Sequence, residues 1–102
     1  MDNSLNHYMV DFTLPGEYTE EFVALISRQR ATVNRLLSEG KILNYALSLE
    51  NAKLWAVFSA RSEAELHELV ERLPLSKFMQ YQVFDLTFFN ASHPFTPVFS
   101  VN

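Results

Sequence analysis

Hydrophobic and polar positions along this chain alternate with two different periods, and each period predicts one kind of secondary structure. A period of two, which is typical of half-buried strands, runs through four segments: residues 7–14, 41–49, 53–60 and 80–89. A helical spacing of apolar positions runs through residues 19–38 and again through residues 62–73, where Pro74 ends it. The pattern therefore predicts strand, helix, strand, strand, helix and strand in chain order.

The ends of both predicted helices carry residue types that favour helix termini. Thr19 is placed to cap the first helix, with two glutamates in the first turn, where the helix dipole favours negative charge. Gly40 is placed to end that helix, because glycine readily adopts the left-handed conformation that follows many helices. Ser62 and Glu65 have the spacing of a capping box at the start of the second helix.

The predicted order of elements is that of an α+β, ferredoxin-like domain, βαββαβ. Right-handed crossovers place the strands in the spatial order 4-1-3-2, which makes the four-stranded sheet antiparallel with both helices on one face. A chain of 102 residues fits one such domain. We assign residues 1–90 to the domain and residues 91–102 to an extended C-terminal tail.

The sheet face without helices, hereafter the open face, is predicted to be too apolar to be left in water. Strand alternation gives it two groups of residues: apolar Met9, Ile42, Ala46, Trp55, Val57 and Val83, and polar His7, Asp11, Asn44, Tyr81 and Asp85. A second copy of the same face would cover it, so we expect a dimeric α/β barrel with a partly polar cavity between the sheets. The tail carries Phe95, Val98 and Phe99, and we expect it to pack on a neighbouring subunit of the homodimer or larger homo-oligomer.

Composition and charge narrow the class of protein without identifying an activity. The apolar share of 48% and the charged share of 20% are those of an ordinary globular domain. A net charge of −4 and the lack of a basic stripe argue against a nucleic-acid partner. The sequence has no cysteine, no apolar run near the ~20 residues of a membrane span, and no basic and apolar leader. We therefore expect a cytoplasmic protein without a membrane partner.

One stretch of the sequence is similar to a known family. Residues 66–69 are Leu-His-Glu-Leu, residues 73–75 are Leu-Pro-Leu, and Phe78 and Met79 lead into the last strand. This succession resembles the muconolactone Δ-isomerase family, in which a similar helix, Leu-Pro-Leu turn and final strand follow one another. Weaker matches extend the resemblance over most of the chain: Leu14 with Pro15, Arg35 and Leu36 through Glu39 and Gly40, Ala52, and His93 with Pro94.

The resemblance implies a dimeric α/β-barrel fold, frequent assembly into larger oligomers, and an isomerase activity in the β-ketoadipate branch of aromatic catabolism. That reaction moves a proton between two carbons of an unsaturated lactone, and the resemblance implies neither a metal nor an organic cofactor for it. The chemistry needs a general base within reach of both carbons and donors that stabilise a dienolate.

This chain departs from the family at the positions where chemistry is expected. The family's Glu-Lys pair midway along the first helix aligns with Gln29 and Arg30, and a glutamine side chain cannot take up a proton. The family's second strand is rich in Trp, His and Arg, whereas residues 42–47 of this chain are Ile-Leu-Asn-Tyr-Ala-Leu. The resemblance therefore predicts the fold, but the activity does not follow from it.

Asp11 and Asp85 are the candidate bases. Each lies in the middle of a predicted strand, and the two strands are expected to be antiparallel neighbours with both aspartates on the open face. Two carboxylates close together in a covered site raise the pKa of one toward that of a useful base. The alternative is a wet position at the mouth of the barrel. His7 on the same face is a candidate proton carrier, with a position on the rim as its alternative.

Candidate ligand contacts come from both helices and strands: Gln29, Arg30, Asn44, Trp55 and Tyr81. Gln29 falls in the apolar arc of the first helix, so its amide is either a donor to a pocket or is bonded to strand backbone. Trp55 and Tyr81 either line a cavity for a flat ligand or pack in a dimer interface. His67 is expected on a solvated helix face, and no spacing of His, Asp or Glu predicts a metal site.

The leading interpretation is a muconolactone isomerase-like protein that moves a proton in a small lactone or carboxylic acid without a cofactor. Asp11 or Asp85 would then be the base, and Gln29, Asn44 or Tyr81 the donor. The alternative is a non-catalytic, oligomeric module that binds a small molecule or serves as a scaffold. The replaced family acid at position 29 favours this alternative.

Overall fold

The computed structural model describes residues 4–92 of the chain and has the predicted order of elements. The strands are β1 (Asn6–Thr13), β2 (Ile42–Ser48), β3 (Lys53–Ala60) and β4 (Gln80–Leu86). The helices are α1 (Glu20–Ala24), α2 (Ile26–Ser38) and α3 (Glu63–Arg72), and a short 3₁₀ turn (Ser76–Phe78) precedes β4. The first predicted helix is therefore two helices, which meet at Leu25.

The four strands form one antiparallel sheet in the order β2-β3-β1-β4. This order is the predicted one, and the α+β, ferredoxin-like fold is confirmed. The helices pack on one face of the sheet, hereafter the helix-side face, and the buried residues of that face and of the helices form one apolar core. Its fully buried members include Val10 and Phe12 of β1, Phe58 of β3, and Leu66 of α3.

Side-chain caps start the helices where the sequence predicts them. The Thr19 hydroxyl accepts a hydrogen bond from the Phe22 amide at 3.2 Å. The Ser62 hydroxyl accepts one from the Glu65 amide at 3.1 Å, and the Glu65 carboxylate in turn accepts one from the Arg61 amide at 2.7 Å. The first two bonds satisfy first-turn amides that have no backbone acceptor, and the third ties the residue before the N-cap to the helix.

Glycine ends the first helical segment as predicted. Gly40 has a φ angle of +74°, in the left-handed region that glycine adopts without a steric penalty. Its amide donates to the Leu37 carbonyl, and the next amide, that of Lys41, donates to the Leu36 carbonyl. The chain thereby reverses direction after α2 and enters β2, which is in contact with α2.

The faces of β4 are the reverse of those predicted. Tyr81, Val83 and Asp85 pair with Phe12, Val10 and Tyr8 of β1, and directly opposed residues share a face. These three residues of β4 therefore lie on the helix-side face, and their prediction on the open face is wrong. The strand carries apolar residues in both phases, so alternation by itself does not show which phase is covered; the register with β1 decides.

A bulge in β2 places Ile42 on the helix-side face and not on the predicted open face. The pairing with β3 shifts between Ile42 and Asn44, so that Leu43 has no partner of its own. Ile42 opposes Phe58 and lies in the core with 1% of its surface exposed, so its prediction on the open face is wrong. After the bulge the phase changes, and Asn44 and Ala46 lie on the open face as predicted.

The open face keeps a mixed surface. Val57 is fully buried there without belonging to the core, and Met9 and Trp55 are half-buried beside it. Phe84, which is 49% exposed, replaces Val83 on this face because β4 has the opposite phase. The prediction that the tail, residues 91–102, packs on a neighbouring subunit lies outside the described residues except at positions 91 and 92, which are exposed. Within residues 4–92, no helix is long and apolar enough to span a membrane.

Candidate ligand-binding site

A pocket of about 550 Å³ opens on the helix-side face, between the start of the first helical segment and the hairpin end of the sheet. This volume is in the range of pockets that hold small molecules. Its walls are mostly aliphatic and aromatic: Leu14, Tyr18, Phe22, Val23, Ile26, Leu47, Leu49, Leu54, Leu75 and Met79, with Gln29, Arg30 and Tyr45 as the polar members. We refer to it as the helix-side pocket.

Helical spacing brings one wall of the pocket together. Phe22 belongs to α1, and Ile26, Gln29 and Arg30 follow it in α2, so that one helical stripe faces the strands. The opposite wall includes Tyr45 of β2, and the turn between α3 and β4 supplies the floor with Leu75. Three segments that are distant in sequence therefore meet at this one site.

Gln29 is the buried polar centre of the helix-side pocket, with 4% of its surface exposed. Its Oε1 accepts a hydrogen bond from the Leu75 amide at 3.0 Å, and its Nε2 donates to the Tyr45 hydroxyl at 3.0 Å. The structure agrees in part with each of the two alternatives for Gln29. The side chain lines the pocket, and it makes a structural bond to backbone, although that backbone belongs to a turn and not to a strand.

Tyr45 keeps its proton in this surrounding. Burial raises the pKa of its hydroxyl above the ordinary value of 10.0, and the hydrogen bond from Gln29 offsets only part of that rise. The hydroxyl is therefore neutral over the whole physiological range. A neutral phenol can donate one hydrogen bond and accept others.

Arg30 is exposed and lies at the edge of the same pocket. Its guanidinium has no ion pair with any side chain of residues 4–92. An arginine is always protonated and matches the geometry of a carboxylate. Gln29 and Arg30, which the resemblance is expected to place at the family's Glu-Lys pair, both border the pocket, one as a buried amide and the other as a cation at the rim.

A second, polar cleft of about 400 Å³ lies at one end of the sheet and is lined by Asp11, Thr13, Lys53, Gln80, Tyr81 and Gln82. The Lys53 ammonium group reaches Asp11 Oδ1 at 3.2 Å and Thr13 Oγ1 at 3.1 Å. Asp11 and Lys53 retain 24% and 34% side-chain exposure, so water partly screens this ion pair.

The structure separates the two candidate bases. Asp11 opposes Trp55 on β3 and Gln82 on β4, on the open face, whereas Asp85 opposes Tyr8 on the helix-side face. The predicted pairing of the two carboxylates is therefore wrong, because the sheet lies between them. Asp85 is exposed on the edge strand.

The other predicted site residues of the strands do not converge on one point. His7 is half-buried on the open face, with its ring 5.7 Å from that of Phe89. The Asn44 side-chain oxygen accepts a hydrogen bond from the Val57 amide at 3.2 Å and so completes the bulge. Trp55 lies half-buried between Asp11 and Ala46 on the neighbouring strands. None of the three lines either cavity.

Tyr81 has a partner on α3. Its hydroxyl and His67 Nδ1 are 2.9 Å apart, and its ring packs against that of Phe12 with centroids 5.6 Å apart. His67 is half-buried, so the helix face on which it was predicted is only partly solvated at this position. Burial, and then the charge of Glu71, raises the pKa of the Tyr81 hydroxyl. Among residues 4–92, no group of three or more His, Asp or Glu side chains is placed to hold a metal ion.

Two polar residues of these sites were not predicted. Tyr45 is not among the residues predicted for the open face or for ligand contacts. The signal was available in Gln29, because a buried amide in an apolar helix arc needs a polar partner on the element it faces. Lys53 was also missed. It begins β3 opposite Thr13, in the same strand pair as Asp11, where opposite charges on one face attract each other.

The fold and the helix-side pocket define a class of protein: a ferredoxin-like α+β domain with an apolar, ligand-sized pocket between helix and sheet. Within that class, the chain belongs to the muconolactone delta-isomerase family, whose sequence model matches residues 7–93. The resemblance inferred from the Leu-Pro-Leu segment is thereby confirmed. A comparison with curated proteins found no match.

Proposed function

We propose that this muconolactone isomerase-like protein binds a small, partly apolar carboxylic acid or lactone in the helix-side pocket and does not catalyse the family's proton transfer there. The observation that carries the proposal is the pair at positions 29 and 30. Gln29 is buried and hydrogen-bonded on both sides of its amide, and Arg30 is free at the rim among the described residues.

The chemistry of the pocket lining supports binding over proton transfer. A general base must take a proton at a pH near neutrality. None of the described residues that line this pocket carries a carboxylate or an imidazole. An amide at position 29 can orient a ligand, and a guanidinium at position 30 can attract a carboxylate, but neither can act as the base.

Muconolactone and 2-naphthoic acid are the probes that test this proposal. We expect both to shift the amide NMR signals of Gln29, Tyr45 and Leu75, and we expect the ultraviolet absorbance of muconolactone to change no faster than in buffer. Arg30→Gln should weaken binding of the acid several-fold, because it removes the cation at the rim. The matched control is Arg28→Gln, which changes an exposed arginine two residues earlier in α2 and outside the pocket.

A second experiment asks whether position 29 accounts for the missing activity. Gln29→Glu places a carboxylate where the resemblance places the family's acid, and Asn34→Asp places one at an exposed position of α2 outside both cavities as the control. Turnover of muconolactone by the unchanged protein would contradict the proposal. Absence of any signal change at the pocket with both probes would contradict it as well.

A second candidate function is cofactor-free isomerisation in the polar cleft, and the Asp11–Lys53 contact favours it. There a carboxylate that could accept a proton lies 3.2 Å from an ammonium group that could stabilise a developing enolate oxygen. Asp11→Asn should then abolish turnover of an accepted lactone, while Asp85→Asn, on the other side of the sheet, should leave it intact. Equal activity of both variants would rule this candidate out.

We also propose that two copies associate through their open faces as a homodimer. Phe84 is 49% exposed, and it lies on the same face as Met9 and Trp55, which supports burial by a partner. Phe84→Glu should lower the mass measured by light scattering after size-exclusion chromatography. The control is Leu37→Glu, which replaces an apolar residue of 38% exposure on α2. Equal masses for the two variants would contradict an interface on the open face.

A further inference from the structure

The orientation of the Gln29 amide is fixed by what lies on either side of it. The Leu75 amide can only donate, so the atom of Gln29 that faces it at 3.0 Å must be the carbonyl oxygen. A flipped amide would place two N–H groups against each other. The NH₂ group consequently points toward Tyr45, and it is the donor in the 3.0 Å contact with the hydroxyl oxygen.

This orientation decides what Tyr45 offers to the helix-side pocket. The hydroxyl oxygen accepts from Gln29, so its hydrogen must point elsewhere, and no acceptor for it lies among residues 4–92. Burial also raises the pKa of this hydroxyl, which keeps the hydrogen in place. Tyr45 therefore presents an unused donor in a pocket whose other walls are mostly apolar.

The rest of the pocket offers little competition for a neutral ligand oxygen. Gln29 uses one atom of its amide on the turn and one hydrogen on Tyr45. Arg30 lies at the exposed edge, where a carboxylate can reach it and water screens it. Two donor hydrogens at the polar centre of the pocket are left without an acceptor among residues 4–92: the second hydrogen of the Gln29 amide and the hydrogen of the Tyr45 hydroxyl. The Gln29 side chain is almost completely buried, whereas Tyr45 is only half-buried, so the Tyr45 hydroxyl is the more accessible of the two donors.

We propose that Tyr45 is the specificity-determining residue of the helix-side pocket and that the ligand carries a carbonyl oxygen on an apolar body, which accepts a hydrogen bond from it. This inference rests on the proposed binding function and adds the chemical class of the group that is recognised. Ligands of the same shape without that oxygen leave the Tyr45 hydrogen unpaired in the complex, which weakens their binding.

The test compares two probes that differ only in one group, 2-acetylnaphthalene and 2-ethylnaphthalene, titrated into the full chain and followed by amide NMR signals. The ketone should bind about 2- to 10-fold more tightly, the range that one neutral hydrogen bond provides. Tyr45→Phe should remove this preference. Tyr8→Phe, a buried tyrosine outside the pocket, is the matched control and should keep it.

A second measurement needs no variant. The carbonyl stretching frequency of bound 2-acetylnaphthalene should be lower than in hexane, because a hydrogen bond weakens the C=O bond. A frequency equal to that in hexane, equal binding of the two probes, or a preference that persists in Tyr45→Phe would each overturn the role of Tyr45 while the binding function stands. Absence of binding by both probes at the pocket would overturn the binding function itself.

Discussion

The two faces of the sheet differ in how far their polar groups are buried and in how they are paired. On the helix-side face, Gln29 is buried, and each end of its amide has one fixed partner, Leu75 or Tyr45. On the open face, Asp11 and Lys53 form a partly exposed ion pair, and Asn44 completes a bulge at the surface. The first arrangement is enclosed by three elements, whereas the second keeps partial contact with water.

This difference shows which face of the sheet holds its polar groups in a fixed geometry. A buried amide without partners costs free energy, so its partners must be built into the fold, and they thereby define the geometry of the pocket. Exposed charges pay little for losing a partner, because water replaces it. The fixed polar groups of the helix-side pocket therefore support the proposed ligand binding there, and the exposed groups of the open face are compatible with the proposed homodimer.

The largest expected effect is the difference between the two faces in what one phenylalanine contributes to the free energy of unfolding. Phe12→Ala removes a fully buried ring of the core and should lower the free energy of unfolding by about 3–5 kcal/mol. Phe84→Ala, which is on the open face and 49% exposed, should cost much less in dilute protein. Urea denaturation measures both. Equal losses would show that the open face is as well covered as the core, which would break the comparison.

The next effect concerns the polar groups themselves. Gln29→Leu leaves the buried Leu75 amide without an acceptor and should destabilise the protein by about 1–3 kcal/mol. The control on the open face is Gln82→Leu, for which we expect a change of about 0.5 kcal/mol or less. Thermal and urea unfolding measure the difference. Equivalence of the two variants would show that the Gln29 network is not a structural requirement.

A smaller effect is expected for the ion pair of the open face. In a double-mutant cycle, Asp11→Asn and Lys53→Met should show a coupling of about 0–1 kcal/mol, because both side chains remain in contact with water. High salt should reduce it further. A coupling well above this range, or one that salt does not change, would mean that a partner covers the open face in solution.

The smallest effect is confined to alkaline pH. The folded-state pKa of Tyr45 is raised above 10.0 by burial, so the unfolded chain loses this proton first as the pH increases. The resulting stability is complete below pH 10, and it declines from there up to the folded-state pKa. Urea unfolding between about pH 9 and pH 11 should therefore show a steeper loss for the unchanged protein than for Tyr45→Phe. Parallel losses would contradict the burial of this hydroxyl.

The predictions that succeeded rested on local patterns. Thr19, Gly40 and the Ser62–Glu65 capping box act through neighbours within a few residues, and each was found where the sequence places it. The predictions that failed needed a register. The bulge at Leu43 shifted the phase of β2 by one residue, and β4 carries apolar side chains in both phases. In β2 the change of phase puts Ile42, before the bulge, on the helix-side face, whereas Asn44 and Ala46, after it, are on the open face.

The candidate site was predicted only in part, because one of its features is local in the sequence and the others depend on distant residues. The sequence identified Gln29 as a buried amide that needs partners, because its position in the apolar arc of a helix is a local property. Its partners, Tyr45 and the Leu75 amide, are 16 and 46 residues away, and no local pattern connects such positions. The hypothesis of an Asp11 and Asp85 pair failed because it required the strand phase that the register with β1 reversed.

The sequence by itself determined the order of elements and the family, and it led to the expectation that an amide, Gln29, replaces the family's helix acid. These depend on residue identity and on short-range spacing. Only the tertiary structure decided that this amide faces a pocket, that Leu75 fixes its orientation, and that Tyr45 is left with an unused hydrogen. The reason is that a hydrogen bond between distant segments depends on the packing of helix, strand and turn against one another, and that packing is a property of the whole fold.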